Sequence, residues 1–250
     1  MPDNKELSGR VAIVTGAGRN IGRAIALSLA AGGAAVIVNA RSNRAEAEAV
    51  AREIESKSGR AHAVLADVTD IGAVDKMAAA AVERFGRIDY LINNAAPRPE
   101  SPLDQLTFAE WREVTGTILD GAFICVKACL RELKKSGAGA IVNIGGLSSH
   151  TGAKDRVHVV AAKAGLSGLT RALAHDLAAD QVTVNCVAPG LVATKRATGA
   201  EPKHHSIHHT LSGKRGTPDD IASVVRFLCG PGARYITGQT IHANGGAYLG

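Results

Sequence analysis

The sequence predicts an α/β protein in which one domain is built on a parallel sheet of seven strands with helices on both faces. Short apolar runs of strand length alternate with longer segments of helical period, which is the pattern of repeated βα units. A length of 250 residues is enough for one large core, and an aromatic content of 3% means that small aliphatic side chains must fill it. No internal repeat or low-complexity linker divides the chain.

Each predicted strand is an apolar run bounded by polar or glycine residues, and we place the strands at residues 11–14, 35–39, 61–65, 90–93, 140–144, 182–187 and 240–243. Apolar residues at helical spacing predict helices over residues 21–31, 45–56, 71–85, 109–133, 161–179 and 219–229. Pro218 favours a helix start because the first turn does not use its missing N–H. Residues 191–217 have no clear period, and we expect a substrate lid there.

The composition argues against several classes of function. No stretch approaches the roughly 18 apolar residues of a membrane span, and no export signal is present, so we expect a cytoplasmic protein with no membrane partner. The net charge of +6 comes without a long basic block, so we expect no nucleic-acid partner. The cysteines lack metal-ligand spacing, and we expect Cys125, Cys129, Cys186 and Cys229 to be reduced and buried.

A glycine-rich turn follows the first strand directly and leads into a helix. Glycines at this point let backbone N–H groups and a helix N-terminus approach a diphosphate. The strand before and the helix after make this signal stronger than glycine spacing alone, although a tight turn without a ligand is the alternative. The sequence therefore predicts a dinucleotide site in a Rossmann-type, doubly wound sheet, with cofactor contacts from Gly16, Gly18, Arg19, Asn20, Ile21 and Gly22.

The end of the second strand bears on which dinucleotide binds. It reads Asn39-Ala40-Arg41-Ser42, without the acidic residue that binds an unmodified ribose 2′-hydroxyl. A guanidinium can instead bind a 2′-phosphate. Arg41 and Ser42, with Arg19 as a second cation, therefore favour NADP(H) over NAD(H), the alternative being that these arginines are solvated surface charges.

The turn resembles the TGxxxGxG motif of the short-chain dehydrogenase/reductase family, with Asn20 in place of the middle glycine. Asparagine tolerates positive φ, so the turn can keep its shape. The resemblance runs along nearly the whole chain, to the closing GQTIHANGG segment. It implies a homotetramer, and it implies further cofactor contacts from Asp67, Val68, Asn93, Ala95, Lys163, Pro189, Gly190, Val192 and Thr194.

The same resemblance places the family's catalytic positions on residues that cannot perform its usual chemistry. Typical members use a serine, a tyrosine, a lysine four residues further on, and an asparagine. The Ala162-Lys163-Ala164-Gly165 sequence aligns Lys163 with the lysine and Val159 with the tyrosine, while Gly146 and Ile118 fall at the serine and asparagine positions. Valine cannot carry a proton, so we expect an atypical active site. Lys163 then binds the ribose and is a candidate for a proton relay.

Three side chains are candidates for the missing proton donor: His158, Asp120 and Ser148. His158 is favoured because an imidazole titrates near neutral pH, although a histidine beside a helix start is more often structural. The sequence Arg156-Val157-His158 resembles that of peroxisomal 2,4-dienoyl-CoA reductases, and residues 117–121 resemble those of the mitochondrial enzymes. These reductases work without the usual tyrosine.

Cations collect in the loops beyond the strand ends, at Arg98, Lys154, Arg156, Lys195, Arg196, Lys203, Lys214 and Arg215. Their Coulomb attraction favours an anionic small-molecule substrate such as a carboxylate, a phosphate or a coenzyme A thioester. Solvated loops alone explain many such charges. Histidines in the expected lid have metal-ligand spacing if helical, but without cysteine or carboxylate partners we expect no metal at His204, His205, His208 and His209.

These observations together predict an NADP(H)-dependent oxidoreductase that reduces an activated C=O or C=C bond in an anionic substrate, with acyl thioesters among the candidates. The chain is also similar to 3-oxoacyl-acyl-carrier-protein reductases. Two alternatives stay open. One is a protein that binds NADP(H) as a sensor without turnover, and the other is a non-redox lyase or isomerase on the same fold.

Overall fold

The predicted seven-stranded parallel sheet is confirmed by the computed structural model, which describes residues 5–194 and 209–250. The strand order is β3-β2-β1-β4-β5-β6-β7, and every neighbouring pair is parallel. The order reverses between β1 and β4, so a crevice opens beyond their carboxyl ends. The strands are β1 (Val11–Val14), β2 (Ala35–Ala40), β3 (Arg60–Leu65), β4 (Tyr90–Asn93), β5 (Ala140–Ile144), β6 (Thr183–Pro189) and β7 (Thr240–Ala243).

Helices cover both faces of the sheet, because successive strand side chains point to opposite sides and are apolar on both. One apolar cluster joins the sheet to α1, α2 and α8, and a second joins its other face to α3, α5 and α7. No described helix is long and apolar enough to cross a membrane. The helices are α1 (Asn20–Ala31), α2 (Arg44–Ser56), α3 (Ile71–Phe85), α4 (Phe108–Thr115), α5 (Gly121–Lys135), α6 (Ser148–Thr151), α7 (Val157–Asp176) and α8 (Pro218–Cys229).

Short polar side chains fix where several helices begin. The Asn43 side chain accepts a hydrogen bond from the backbone N–H of Glu46 at the start of α2. At the start of α8, Thr217 and Asp220 exchange side-chain and backbone hydrogen bonds, and Pro218 occupies the first turn. This is a capping box, so the helix start predicted at Pro218 is confirmed.

Two predicted helices differ from the structure. Residues 109–133 are not one helix, because a π-helical turn at Gly116–Asp120 separates α4 from α5. The wider turn lies where α5 comes close to the loop after β3: a Cβ on Gly121 would lie 2.6 Å from Cγ2 of Val68. The helix predicted over 161–179 begins earlier, at Val157. Its first turn is rich in valine, which hides the helical period in the sequence.

The four cysteines are free and buried, as expected. Cys125 and Cys129 lie on the face of α5 that packs against the sheet. Burial raises the pKa of the Cys125 thiol to about 12, so it stays protonated at neutral pH. These side chains therefore act as small apolar residues in the core.

A buried carboxylate ties the start of the sheet to the loops beneath it. Asp89 has no exposed side-chain surface and accepts hydrogen bonds from Arg10 at 2.8 Å, Arg87 at 2.6 and 2.8 Å, the Val11 N–H at 3.0 Å, and the Ser136 hydroxyl. Burial acts to raise the pKa of Asp89. The hydrogen bonds from Arg87, Ser136 and Arg10 outweigh it and hold the pKa below its ordinary value.

Replacing this carboxylate should weaken the fold. We expect Asp89→Asn to lower the free energy of unfolding at pH 7 by about 2 kcal/mol, because a neutral amide cannot accept the same charge-assisted bonds. The folded pKa lies below the unfolded one, so this stabilisation is complete above the unfolded pKa and is lost as the pH falls through the folded pKa. The difference in the free energy of unfolding between the wild type and Asp89→Asn should therefore become smaller only below about pH 4.

Urea denaturation followed by circular dichroism measures the effect. The matched control is Asp180→Asn, which removes a surface carboxylate 2.8 Å from Lys134 and should cost less than about 1 kcal/mol. Equal losses in the two variants would contradict a special role for Asp89.

Candidate active site

A cleft of about 700 Å³ lies at the carboxyl ends of the strands, where the strand order reverses. Its walls come from the turn after β1, the ends of β2, β5 and β6, the loops after β3 and β4, and the first turns of α7. Most of the predicted site residues line it, namely Gly16, Arg19, Asn20, Ile21, Gly22, Arg41, Asp67, Val68, Ala95, Ser148, Lys163, Pro189, Gly190, Val192 and Thr194.

Five predicted residues do not line the cleft. A Cβ on Gly18 would lie 3.1 Å from that of Glu46, so this glycine faces α2. Asn93 is buried, and its amide donates to Oδ1 of Asn143 at 2.8 Å, while the next residue, Asn94, lines the cleft instead. The other three are Ser42, Asp120 and His158.

The glycine-rich turn is packed too closely to carry side chains at two positions. A Cβ on Gly22 would lie 2.2 Å from the carbonyl oxygen of Gly16, and Gly16 itself has a φ of +61°. Asn20 has a φ of 51°, so the asparagine adopts the left-handed conformation that the sequence required of it. Asn20, Ile21 and Gly22, in the first turn of α1, line the cleft. The helix N-terminus therefore lies at the cavity, as an anion site requires.

Side chains from three strand ends hold this turn in place. The Thr15 hydroxyl accepts hydrogen bonds from the N–H groups of Asn94 at 2.9 Å and Ala95 at 3.0 Å. The Asn94 amide donates to the carbonyl oxygens of Thr15 at 2.8 Å and Gly16 at 3.0 Å. Asn39, at the end of β2, accepts from the Gly16 N–H at 3.2 Å and donates to the Ala66 carbonyl at 3.0 Å. Sequence reasoning missed Asn39, for which a polar amide ending an apolar strand was the available signal, whereas the family resemblance implies that Asn94 lies at the cofactor, between Asn93 and Ala95.

The far end of the cleft carries both a cation and an anion. Arg41 is 61% exposed at its side chain, and its guanidinium lies 3.5 Å from Glu113, a weak surface pair. The Asp67 carboxylate accepts from the Thr69 N–H at 2.9 Å and the Thr69 hydroxyl at 2.7 Å. The backbone hydrogen bond from Thr69 is the main cause that lowers the pKa of Asp67, and Arg41 adds to it, so the carboxylate is charged at neutral pH.

Lys163 lies at the other end of the cleft and is almost completely buried. Its ammonium donates to the Ile144 carbonyl at the end of β5. Burial, followed by the charges of Arg98 and Arg156, lowers the pKa of Lys163 to about 7. At neutral pH this side chain can therefore hold or release a proton, which an ordinary lysine cannot.

The ends of the expected lid segment meet at the cleft. Val192 and Gly216 form a parallel bridge, with hydrogen bonds from the Ala193 N–H to Gly216 at 2.9 Å and from the Gly216 N–H to Leu191 at 3.0 Å. Residues 195–208 lie outside the described part of the chain. They include the sequence-predicted cations and histidines Lys195, Arg196, Lys203, His204, His205 and His208.

Comparisons with known proteins agree on one family. A family model described as enoyl-(acyl carrier protein) reductase matches residues 16–248. The 3-oxoacyl-[acyl-carrier-protein] reductase FabG of Staphylococcus aureus (strain Mu50 / ATCC 700699) is 39% identical over 240 residues, which are 95% of this chain and 98% of that protein. The chain belongs to the short-chain dehydrogenase/reductase family.

Solved structures of the family match the whole fold. A dehydrogenase/reductase from Sinorhizobium meliloti 1021 gives a TM-score of 0.92 at 35% identity, covering 99% of this chain and 98% of that one. A short chain dehydrogenase from Burkholderia cenocepacia J2315 in complex with NADP gives 0.90 at 34% identity, covering 97% and 99%. The family resemblance and the similarity to 3-oxoacyl-acyl-carrier-protein reductases are confirmed. The likeness to 2,4-dienoyl-CoA reductases stays a prediction.

The residues that the sequence predicts at the family's catalytic positions lie in two kinds of surroundings. Val159 and Ile118 are both buried in one apolar cluster with Val114, Ala122, Ala162 and Leu166. A Cβ on Gly146 would have no atom within 4 Å, so space for a side chain is open there. Gly146 and Val159 line the cleft together with Lys163. The lysine is therefore flanked by open space on one side and by an apolar wall on the other.

The three candidate proton donors occupy different surroundings. His158 is fully buried away from the cleft, 3.6 Å from Glu110, with neither ring nitrogen hydrogen-bonded. Burial lowers the pKa of His158, so its ring is neutral at pH 7. Asp120 is 53% exposed at its side chain and lies 3.8 Å from Arg112, outside the cleft. Ser148 alone of the three lines the cleft.

The close contact at Gly22 gives a direct test of the turn. We expect Gly22→Ala to lower the free energy of unfolding by about 2 kcal/mol, because the added methyl group overlaps the Gly16 carbonyl and the Asn94 amide. The control is Gly168→Ala on the exposed face of α7, where an added Cβ meets nothing within 4 Å and raises helix propensity. Denaturant unfolding compares them, and a Gly22 variant as stable as the control would refute the packing argument.

Proposed function

We propose that this protein is an NADP(H)-dependent oxidoreductase that reduces an activated C=O or C=C bond in an anionic small molecule through an atypical active site. The observation that carries the proposal is the arrangement of the cleft. The glycine-rich turn, a 2′-phosphate candidate site at Arg41 and a buried lysine with a pKa of about 7 line one continuous cavity. Membership of an oxidoreductase family supports the same reading.

The cleft fits a dinucleotide on its own geometry. Two positions in the turn exclude even a methyl group, which leaves the backbone of Gly16 and Gly22 accessible to a diphosphate. A third close approach lies at Gly190, where a Cβ would lie 2.6 Å from Asn244. When bound, a reduced nicotinamide supplies a hydride. Lys163, Pro189, Gly190, Val192 and Thr194 would line the space around that end of the cofactor.

A phosphate on the adenine ribose fits the end of β2 better than a bare hydroxyl. The tip of this strand carries Asn39, whose amide is occupied with the Gly16 N–H and the Ala66 carbonyl. Arg41 lines the cleft beside it, and its guanidinium forms a weak surface pair with Glu113 at 3.5 Å. A guanidinium that exposed can turn towards a phosphate dianion at low cost.

Arg41 therefore offers a test of cofactor choice. We expect Arg41→Gln to weaken NADPH binding about tenfold, a loss of about 1.4 kcal/mol, and to leave NADH binding unchanged. Arg52→Gln is the control, because Arg52 is equally exposed but lies on the outer part of α2. Fluorescence titration with each nucleotide measures both affinities. Two results would count against a 2′-phosphate contact. One is that Arg41→Gln weakens the binding of NADPH and NADH equally, and the other is that Arg52→Gln weakens NADPH binding as much as Arg41→Gln does.

The proton for the reduction is assigned to Lys163. A hydride added to a C=O or C=C bond leaves an anion that one proton must neutralise. Of the described residues that line this end of the cleft, Lys163 combines a pKa near neutrality with a position beside the open space at Gly146. Ser148 is the second candidate, acting through water. His158 and Asp120 would need a change of conformation to reach a substrate.

The pH dependence of turnover tests this assignment. The protonated lysine is the active form in the reductive direction, so we expect kcat/KM to fall as the pH rises above about 7. Lys163→Met should lower kcat about 100-fold and remove this limb of the profile. Ser148→Ala should keep the fall in kcat/KM above about pH 7. If the residual activity of Lys163→Met keeps the wild-type profile, the lysine is not the donor.

One experiment separates the proposed function from its two alternatives. NADPH and NADH are titrated into the purified protein, and ketones, 3-oxoacyl thioesters, enoyl thioesters and simple oxo acids are then added while the nicotinamide absorbance is followed. Oxidation of NADPH by any substrate supports the reductase. Tight binding without oxidation favours a sensor, and substrate conversion without nucleotide favours a lyase or isomerase. The homotetramer and the cytoplasmic location stay predictions.

A further inference from the structure

We propose that the substrate is a short oxo or enoic acid whose free carboxylate is bound by Arg156 and Arg98, next to the bond that is reduced. This inference rests on the proposed function and narrows its substrate class. A general cationic rim would attract any anion. Arg156 and Arg98 instead place positive charge inside the cleft, at the end that holds Lys163.

Arg156 is placed as a binding residue rather than a surface charge. It lines the cleft, yet it is only 4% exposed. The backbone on both sides fixes it: Asp155 has a φ of 60°, the Asp155 carbonyl accepts from the Ser101 N–H at 2.8 Å, and the Arg156 carbonyl accepts from the Val160 N–H at 2.8 Å. A fixed and buried backbone position limits the conformations open to the guanidinium, so it loses less conformational entropy when it binds a planar carboxylate with two hydrogen bonds.

Arg98 approaches the same point from the loop after β4. It also lines the cleft, and its charge and that of Arg156 both act to lower the pKa of Lys163. Two separate loops thus bring their charges near one ammonium group. Among the described residues that line the cleft, Glu100 is the acid on this loop, and Asp67 is bonded to Thr69 at the other end. Arg98 and Arg156 therefore outnumber Glu100 at the Lys163 end, which has a net positive charge that rises further when Lys163 is protonated.

The surrounding walls favour a small molecule. Leu147 and Leu191 line the cleft beside the ends of β5 and β6, which stay joined by the hydrogen bond from the Leu147 N–H to the Pro189 carbonyl at 2.8 Å. Val159 completes the apolar wall. A short carbon chain fits such a wall, while its carboxylate reaches the guanidinium groups. The carboxylate then lies within a few bonds of the carbon that accepts the hydride.

Carboxylate binding would also change the lysine. Arg98 and Arg156 act to hold the pKa of Lys163 low, and a bound anion offsets their charge. Lys163 should then bind its proton more tightly in the complex than in the free protein. The pKa in the kcat profile, which reports the complex, should therefore be higher than the pKa in the kcat/KM profile, which reports the free protein.

Equilibrium binding to the protein–NADP⁺ complex tests the inference without turnover, because the oxidised cofactor has no hydride to transfer to the oxo acid. Calorimetry compares 2-oxobutanoate with its methyl ester, which keeps the carbonyl and removes the charge. We expect the acid to bind about tenfold or more tightly than the ester. Arg156→Gln should remove most of this preference for the acid. Arg156→Lys should keep part of it, because an ammonium group keeps the charge but cannot form the two parallel hydrogen bonds of a guanidinium. Arg98→Gln should reduce the preference partly.

The controls separate charge from folding. Arg171→Gln makes the same charge change on the exposed face of the same helix, and it should keep the preference for the acid. NADPH affinity and the circular dichroism of each variant report whether the buried Arg156 is needed for folding. If Arg156→Gln does not fold, Arg156→Lys and Arg98→Gln carry the test.

Several outcomes would overturn the inference. They are equal binding of acid and ester, an unchanged preference in folded Arg156 and Arg98 variants, and stronger competition by inorganic phosphate than by propanoate. Tighter binding of an acyl thioester than of the free acid would also overturn the inference. Failure of the proposed function looks different, because NADPH then binds and is never oxidised while the Arg156-dependent binding of 2-oxobutanoate is still measurable.

Discussion

The contact between Gly22 and the Gly16 carbonyl is the constraint on which the cleft depends. It brings the start of α1 against the end of β1 so closely that no side chain fits between them. Asn94 then reaches both Thr15 and Gly16, and Asn39 binds the Gly16 N–H from the other side. Strand ends on both sides of the reversal point are therefore fixed relative to one helix N-terminus. The glycine-rich turn, Asn39 and Asn94 therefore form one wall of the cavity with a fixed shape.

The sequence was a good guide to the sheet because the strands β1, β2, β4, β5 and β6 are buried on both faces. Such strands are continuous apolar runs. The strands β1, β4, β5 and β7 match the predicted bounds, β2 and β3 differ by one residue at one end, and β6 begins one residue later and ends two residues later. Helix interruptions were not predictable in the same way. The π-helical turn at Gly116–Asp120 interrupts a pattern that the sequence presents as one helix, and the close approach beside it, of Gly121 to Val68, joins residues far apart in sequence.

The site was predictable to the extent that local backbone chemistry defines it. Glycines, the asparagine at φ 51° and Arg41 follow from the sequence of one turn and one strand end. The positions of His158 and Asp120 do not, because helical rotation and a π turn decide whether such side chains face the cleft or a neighbouring helix. Asn94 and Asn93 differ by one position along the chain. Asn94 lines the cleft, whereas the Asn93 side chain is buried in the core, and only the geometry of the sheet decides which residue has which position.

The apolar cluster that holds Val159 and Ile118 limits which polar side chains these two positions can accept. A serine side chain at Gly146, by contrast, would meet open space. An amide in place of Ile118 would be buried among Val114, Ala122 and Leu166 without an evident partner, at a cost of about 1–3 kcal/mol. A tyrosine side chain in place of Val159 would have to extend out of the same packed cluster. Placing a serine, a tyrosine and an asparagine at these three positions would therefore require coordinated repacking of the cluster, which makes its apolar side chains a barrier to redesign of the site.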